Sequence, residues 1–295
     1  GTAVYKRGGL RKHRKTGRKI MQKKIAVIND LSGYGRCSLT VAIPVLSAMG
    51  HQCCPVPTAI LSNHTEFPVY FFDDYTEKMT PYTDKWKELG LSFDAIATGF
   101  LGSEAQIQIV MDIIQKLDAE KTFVVVDPVM GDHGHAYETY TPEMCEQMKE
   151  LVCMADVVLP NVTECCILTD TPYKEENWTR KELLNMAMML RLMGAKSVVI
   201  TGVREGSYYT NVVLEQGQYD ARFIRTKSSG GERPGTGDVF SSVVAGALLN
   251  GKSLPEAVTQ AAGFVKDCIK VSDEEQIPHA NGVCFEKILG KLIKK

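Results

Sequence analysis

No stretch of this 295-residue chain approaches the ~20 consecutive apolar residues that a membrane-spanning helix requires, so such a helix is excluded and the chain is read as soluble. The pattern GxxxxGK[ST] is absent, which excludes a P-loop nucleotide site. The nine cysteines contain no CxxC pair. Cys53–Cys54 and Cys165–Cys166 are adjacent, a spacing unsuited to zinc. Odd in number as well, the cysteines read as reduced thiols of a cytoplasmic protein. Acidic residues are missing from the first 24 positions, which carry ten Lys or Arg, and the rest of the chain holds 24 basic against 35 acidic residues. So acidic a body excludes a nucleic-acid binder. The leader lacks the apolar core of a secretory signal. Residues 1–21 are read as a basic, tag-like or upstream extension, disordered and outside the fold.

What remains has an ordinary globular composition, 44% apolar and 23% charged. Short apolar runs alternate with helical patterns. "KIAVIN" (24–29), "CCPVPTAIL" (53–61), "FDAIATGF" (93–100), "TFVVVDP" (122–128), "DVVLPN" (156–161) and "KSVVITG" (196–202) read as strands. The second is weakened by Pro55 and Pro57. Helices are expected at 39–50, 103–117, 142–154 and 179–193. Residues 207–214 and 218–227 read as a hairpin turning at Gln216-Gly217. Three more helices are expected near 237–250, 254–271 and 282–293. No linker, repeat or low-complexity stretch interrupts 22–295. The reading is one α/β domain with a mainly parallel sheet between two helical layers.

Open parallel sheets bind ligands at the carboxyl ends of their strands. There this sequence places Asn29-Asp30, then "SNHT" (62–65), Gly99-Phe100, Asp127, Asn161 with Glu164, and Thr201-Gly202. Acidic groups recurring along one edge point to magnesium held with nucleotide phosphate, with Asp127 and Glu164 as candidates acting through water. The bland reading makes each a cap or a surface carboxylate. "RPGTGDVFSS" (233–242) joins a glycine loop to a helix. Gly235, Thr236 and Gly237 can turn backbone N–H groups toward an anion, and Asp238 can take a proton from a hydroxyl. Alternatively Asp238 only complements the helix dipole.

These motifs occur together and in order: "VPTAILSNHT", "ATGFLGS", "VVDPVMGD", "DVVLPNVTE", "VVITG" and "RPGTGDVFSS". Through them the chain from about 24 to 293 resembles the vitamin-kinase branch of the ribokinase-like superfamily, most closely the pyridoxal kinases. The resemblance implies a ribokinase-like α/β/α fold, a homodimer, and ATP-dependent phosphorylation of the hydroxymethyl group of a B6 vitamer with Mg2+ and K+. Asp238 then looks like the base and Gly235 to Gly237 like the anion hole. Asp127, Asn161, Glu164, Thr201 and Gly202 match phosphate and metal positions. Asp30, Cys37, His64, Thr65 and Phe100 match the vitamin site, and "HGHAYETY" (133–140) resembles a flap that closes over it. Asp30 stands where Ser is frequent, and Phe100 where Tyr is frequent. "NDLSGYG" is also similar to a loop of hydroxymethylpyrimidine kinases, which usually carry Cys in place of the GTGD aspartate. That activity is the alternative, followed by a non-catalytic vitamin-phosphate binder.

Overall fold

The computed structural model describes residues 21–117 and 122–293. All but the last residue of the expected basic leader, 1–21, therefore lies outside the described residues. In chain order the elements are β1 (Lys24–Tyr34), α1 (Ser38–Ala48), β2 (Gln52–Asn63), β3 (Phe72–Asp74), α2 (Thr76–Glu88), β4 (Ala95–Thr98) and α3 (Glu104–Lys116). Next come β5 (Phe123–Val126), β6 (Gly131–Asp132), β7 (His135–Ala136), α4 (Pro142–Cys153), β8 (Val157–Val158), α5 (Val162–Thr169) and α6 (Arg180–Met193). The last are β9 (Ser197–Glu205), β10 (Tyr208–Leu214), β11 (Arg222–Lys227), α7 (Thr236–Leu249) and α8 (Leu254–Glu274).

Nine strands make one sheet in the order β11-β10-β9-β8-β5-β4-β1-β2-β3. Pairing is parallel from β2 through β9 and antiparallel at both ends. Consecutive side chains on a strand face opposite layers. Val124 and Val126 of β5 accordingly pack with α3 to α6, while Val125 packs with α1, α7 and α8. The expected three-layer ribokinase-like arrangement is what the chain adopts. β2 lies on one side of β1 and β4 on the other, so the strand order reverses at β1 and a crevice opens at its carboxyl end.

Four local expectations change. Pro55 and Pro57 sit within β2, paired with β1 at Val27 and Asn29, because β3 joins the other side only from Ala59 onward. The Pro55 carbonyl is satisfied instead by the Tyr82 hydroxyl at 2.8 Å. β1 does not end at Asn29. A register shift between Asn29 and Leu31 lets it run on to Tyr34, so the glycine stretch expected as a loop is paired with β2. β9 likewise passes through Thr201-Gly202 to Glu205. The expected helix at 282–293 is replaced by short 3-10 turns at His279–Asn281 and Glu286–Leu292, since Val283 and Phe285 are both buried and two residues apart, a spacing that an α-helix would put on different faces. β3 and α2 escaped the sequence reading. α2 fully buries only Met79 and Thr83, and its stripe of Met79, Tyr82 and Trp86 is diluted by Thr, Lys and Pro, so its sequence has no strong helical pattern.

Candidate active site

Asp238 lies in the first turn of α7, behind a loop that only glycine can close. Gly235 caps the helix at φ +81°, and a Cβ there would land on the Arg36 carbonyl oxygen. Gly237 is exposed and faces open space. The first-turn N–H groups of Gly237 and Asp238 have no carbonyl four residues back inside the helix, so they are available to an anion. Thr236 turns its hydroxyl back onto the Arg233 carbonyl at 3.0 Å, which tightens the loop. The Asp238 carboxylate takes the Ser38 N–H and, at 3.3 Å, the Asn29 side-chain amide. Burial lifts its carboxyl to about 6; the Ser38 bond opposes this, the Asp30 charge adds to it, and the Asn29 bond opposes it again.

On the β1 side the structure gathers Asp30, Cys37 and Asp238. The Asp30 oxygens accept the Ser38 hydroxyl at 2.5 Å and the Ser32 hydroxyl at 2.9 Å, and burial raises its carboxyl. Cys37 caps α1. Burial first, then the charges of Asp238 and Asp30, push its thiol up to about 12, so it stays a neutral S–H at neutral pH. Phe100 contributes main chain: its N–H goes to Asn29 at 2.9 Å and its carbonyl accepts Thr58 at 3.2 Å. Thr65 is exposed in the turn after β2. His64 follows β2, where its Nε2 meets the Ala280 carbonyl at 2.7 Å and its Nδ1 accepts the Glu66 N–H at 3.4 Å, so the ring is anchored to the turn at His279–Asn281.

The second acidic group centres on Asp127 and Glu164. Asn161 and Glu164 form a reciprocal cap on α5, each side chain bonding the other's backbone N–H, at 2.9 and 2.7 Å. Glu164 also accepts the Met130 N–H at 3.1 Å, and Asn161 donates to the Gly131 carbonyl at 2.9 Å. The bland reading of Glu164 as a cap is therefore realised. Burial and then the Asp127 charge nevertheless hold its carboxyl far above the carboxylate range. Asp127 is raised too, by burial first and then by Asp238, against a bond from Ser241. The Asp238 charge thus bears on Asp127 and the Asp127 charge on Glu164, a mutual repulsion that a bound cation would relieve. Hard carboxylate oxygens fit Mg2+. Thr201 bridges to Asn161 across β8 and β9, and Gly202 at φ +67° is exposed beside it.

Sequence reasoning missed Tyr137, Ser38 and Ser241. Tyr137 follows β7 and stands within the influence of Glu164, Asp132, Asp127 and Asp238, which with burial raise its phenol. Its place in the "HGHAYETY" stretch was the only signal. The start of that stretch supplies the turn and second strand of the β6–β7 hairpin, tied to α5 by the Gly134 N–H on the Thr163 hydroxyl at 2.9 Å. Asn29 had been noticed only as a strand end.

Comparison with known proteins gives the family and the fold. The sequence profile of the family "Phosphomethylpyrimidine kinase" matches residues 41–284. A solved structure from Bacteroides thetaiotaomicron, provisionally assigned as a phosphomethylpyrimidine kinase and containing pyridoxal, is 41% identical, with TM-score 0.86 over 92% of this chain and 96% of that one. Pyridoxal kinase from Lactobacillus plantarum is 28% identical, with TM-score 0.84 over 92% and 96% of the two chains. Hydroxymethylpyrimidine/phosphomethylpyrimidine kinase of Aquifex aeolicus is 32% identical over 174 residues, covering 58% of this chain and 66% of that relative. The chain belongs to the phosphomethylpyrimidine kinase family, on the ribokinase-like fold that it shares with the pyridoxal kinases.

Proposed function

We propose that this kinase transfers the γ-phosphoryl group of ATP to the 5′-hydroxymethyl group of pyridoxal, pyridoxine or pyridoxamine. The observation that carries the proposal is the Asp238 carboxylate, lodged behind the Gly235–Gly237 loop with its carboxyl near 6. The 41% identical relative that contains pyridoxal supports the substrate class. In the mechanism, Asp238 accepts the hydroxyl proton, the oxygen attacks the γ-phosphorus, and ADP leaves. The main-chain N–H groups of the loop meet the charge on the transferring group. Asp127 and Glu164 would hold Mg2+ through water, and its charge would neutralise phosphate oxygens there. Asn161, Thr201 and Gly202 border the phosphates; Asp30, Cys37, His64, Thr65 and Phe100 border the vitamin. Under this reading residues 22–295 act as one domain and the enzyme is a cytoplasmic homodimer with K+ as a second cation.

The test is side-by-side turnover of the three B6 vitamers and hydroxymethylpyrimidine, read as ADP release and product mass. B6 vitamers are expected to be the better substrates. Preference for hydroxymethylpyrimidine would move the assignment to the activity of the Aquifex relative. No ADP with any alcohol would leave only a binding protein.

Three further outcomes are expected. The base works only when ionised, and its raised carboxyl brings the protonated form within reach. kcat/KM should therefore fall about tenfold per unit below about pH 6, in a pH–rate profile of the free enzyme. Chelation by excess EDTA should abolish turnover, and Mg2+ should restore it. A thermal melt without nucleotide should rise when Mg2+ is added, because the cation relieves repulsion among Asp127, Glu164 and Asp238.

A further inference from the structure

The base is gripped by two residues from the other side of the crevice. Asn29 is 5% exposed and sits where β1 shifts register against β2. Such irregularities re-aim side chains beside active sites. Its Oδ1 accepts two main-chain N–H groups, from Asp30 at 3.0 Å and Phe100 at 2.9 Å. With that end of the amide fixed as the acceptor, Nδ2 has to face Asp238, which it meets at 3.3 Å. Gly99 completes the grip, since a Cβ there would collide with the Asn29 amide.

Ser38 supplies the second contact. It holds φ +51°, in the left-handed region, although it is not glycine. That conformation is uphill by roughly 1 kcal/mol or more for an L-residue, and such strain clusters at functional sites. The conformation is used twice: the N–H reaches the Asp238 carboxylate and the hydroxyl reaches Asp30. Glycine would relieve the strain but lose the hydroxyl.

We propose that Asn29 and Ser38 are positioning residues that aim the Asp238 carboxylate at the acceptor hydroxyl, with Ser38 joining the base to the vitamin-side Asp30. This rests on Asp238 being the base. Misplacing a reacting group by about 1 Å lowers rate by about 100-fold while binding survives.

The experiment uses the full chain with ATP and its best B6 substrate. Asn29→Asp is isosteric, keeps the acceptor for Asp30 and Phe100, and loses the donor to Asp238. Expected is a kcat loss of about 100-fold with KM for ATP and directly measured vitamer affinity close to wild type; the added carboxylate 3.3 Å from Asp238 should also lower the melting temperature and move the acid limb of the pH profile upward. Ser38→Gly keeps the N–H on Asp238 and loses only the hydroxyl on the vitamin-side Asp30; about a tenfold kcat loss is expected, read beside directly measured vitamer affinity. If Asn29→Asp does not fold, Asn29→Ala removes the same donor to Asp238 and is expected to lose kcat with KM for ATP unchanged. Wild-type kcat in the folded variants, or a loss matched by equal losses of binding and stability, overturns the proposal. Asp238→Asn is run beside them. If that variant keeps turnover, the base reading itself is wrong; if it is inactive while Asn29→Asp and Ser38→Gly are unimpaired, only the positioning roles fall.

Discussion

Asp238→Asn lowers kcat by about 10²–10⁴-fold and leaves ATP affinity within a small factor of wild type, the span typical of removing a general base. The amide has nearly the shape of the carboxylate, so the contacts from Asn29 and Ser38 constrain the same position. What disappears is the lone pair that takes the proton. The loop N–H groups belong to the backbone and are unchanged, so the nucleotide still binds. A single-turnover measurement separates the two effects, because a loss confined to chemistry leaves the binding phase intact. The acid limb of the pH profile should also vanish, since the group titrating near 6 is gone. Near-normal turnover would remove Asp238 from the mechanism.

Gly235→Ala damages both stability and turnover. At φ +81° an L-residue is strained, and the added methyl would meet a backbone carbonyl, that of Arg36, which cannot swing aside as a side-chain end could. We expect a loss of roughly 2–4 kcal/mol in denaturant unfolding, in the range of backbone strain added to a steric clash. kcat/KM should fall further than stability alone explains, because the loop and the Arg36–Cys37–Ser38 segment would be pushed apart. That segment carries the Ser38 N–H to the base. A variant as stable as wild type would mean that the Arg36 carbonyl moves freely.

How much of this was legible beforehand follows from the range of the interactions. The Val and Ile runs of β5 and β9 are buried on both faces, so they announce a parallel sheet wherever they occur. Asp127, Asn161 and Asp238 were readable because each stands directly at a strand end or a loop–helix junction. The reach of β1 to Tyr34 was hidden: its later residues Ser32, Gly33 and Tyr34 carry no apolar pattern, and only pairing with Leu61 and Asn63 makes them strand. The anchoring of His64 was hidden for a related reason. Its partners Ala280 and Glu66 are distant or main-chain, and nothing local reveals that both ring nitrogens are spoken for. Ser38 could not be found at all, because its importance lies in a backbone angle and in a contact with a residue 200 positions away.

The short turns that close the chain have a consequence for how the enzyme comes into being. The Val283 N–H bonds the Pro234 carbonyl at 3.1 Å, and the Arg36 guanidinium holds the Asn281 carbonyl and the Glu286 carboxylate at 3.0 and 2.6 Å. The glycine loop is thus buttressed from behind by residues that follow it by about 50 positions in the chain. Most of the sheet can assemble while synthesis continues, since its parallel strands are complete by Glu205. The loop around Gly235 has to wait for residues 281–286, so the sheet can be folded before this junction is complete.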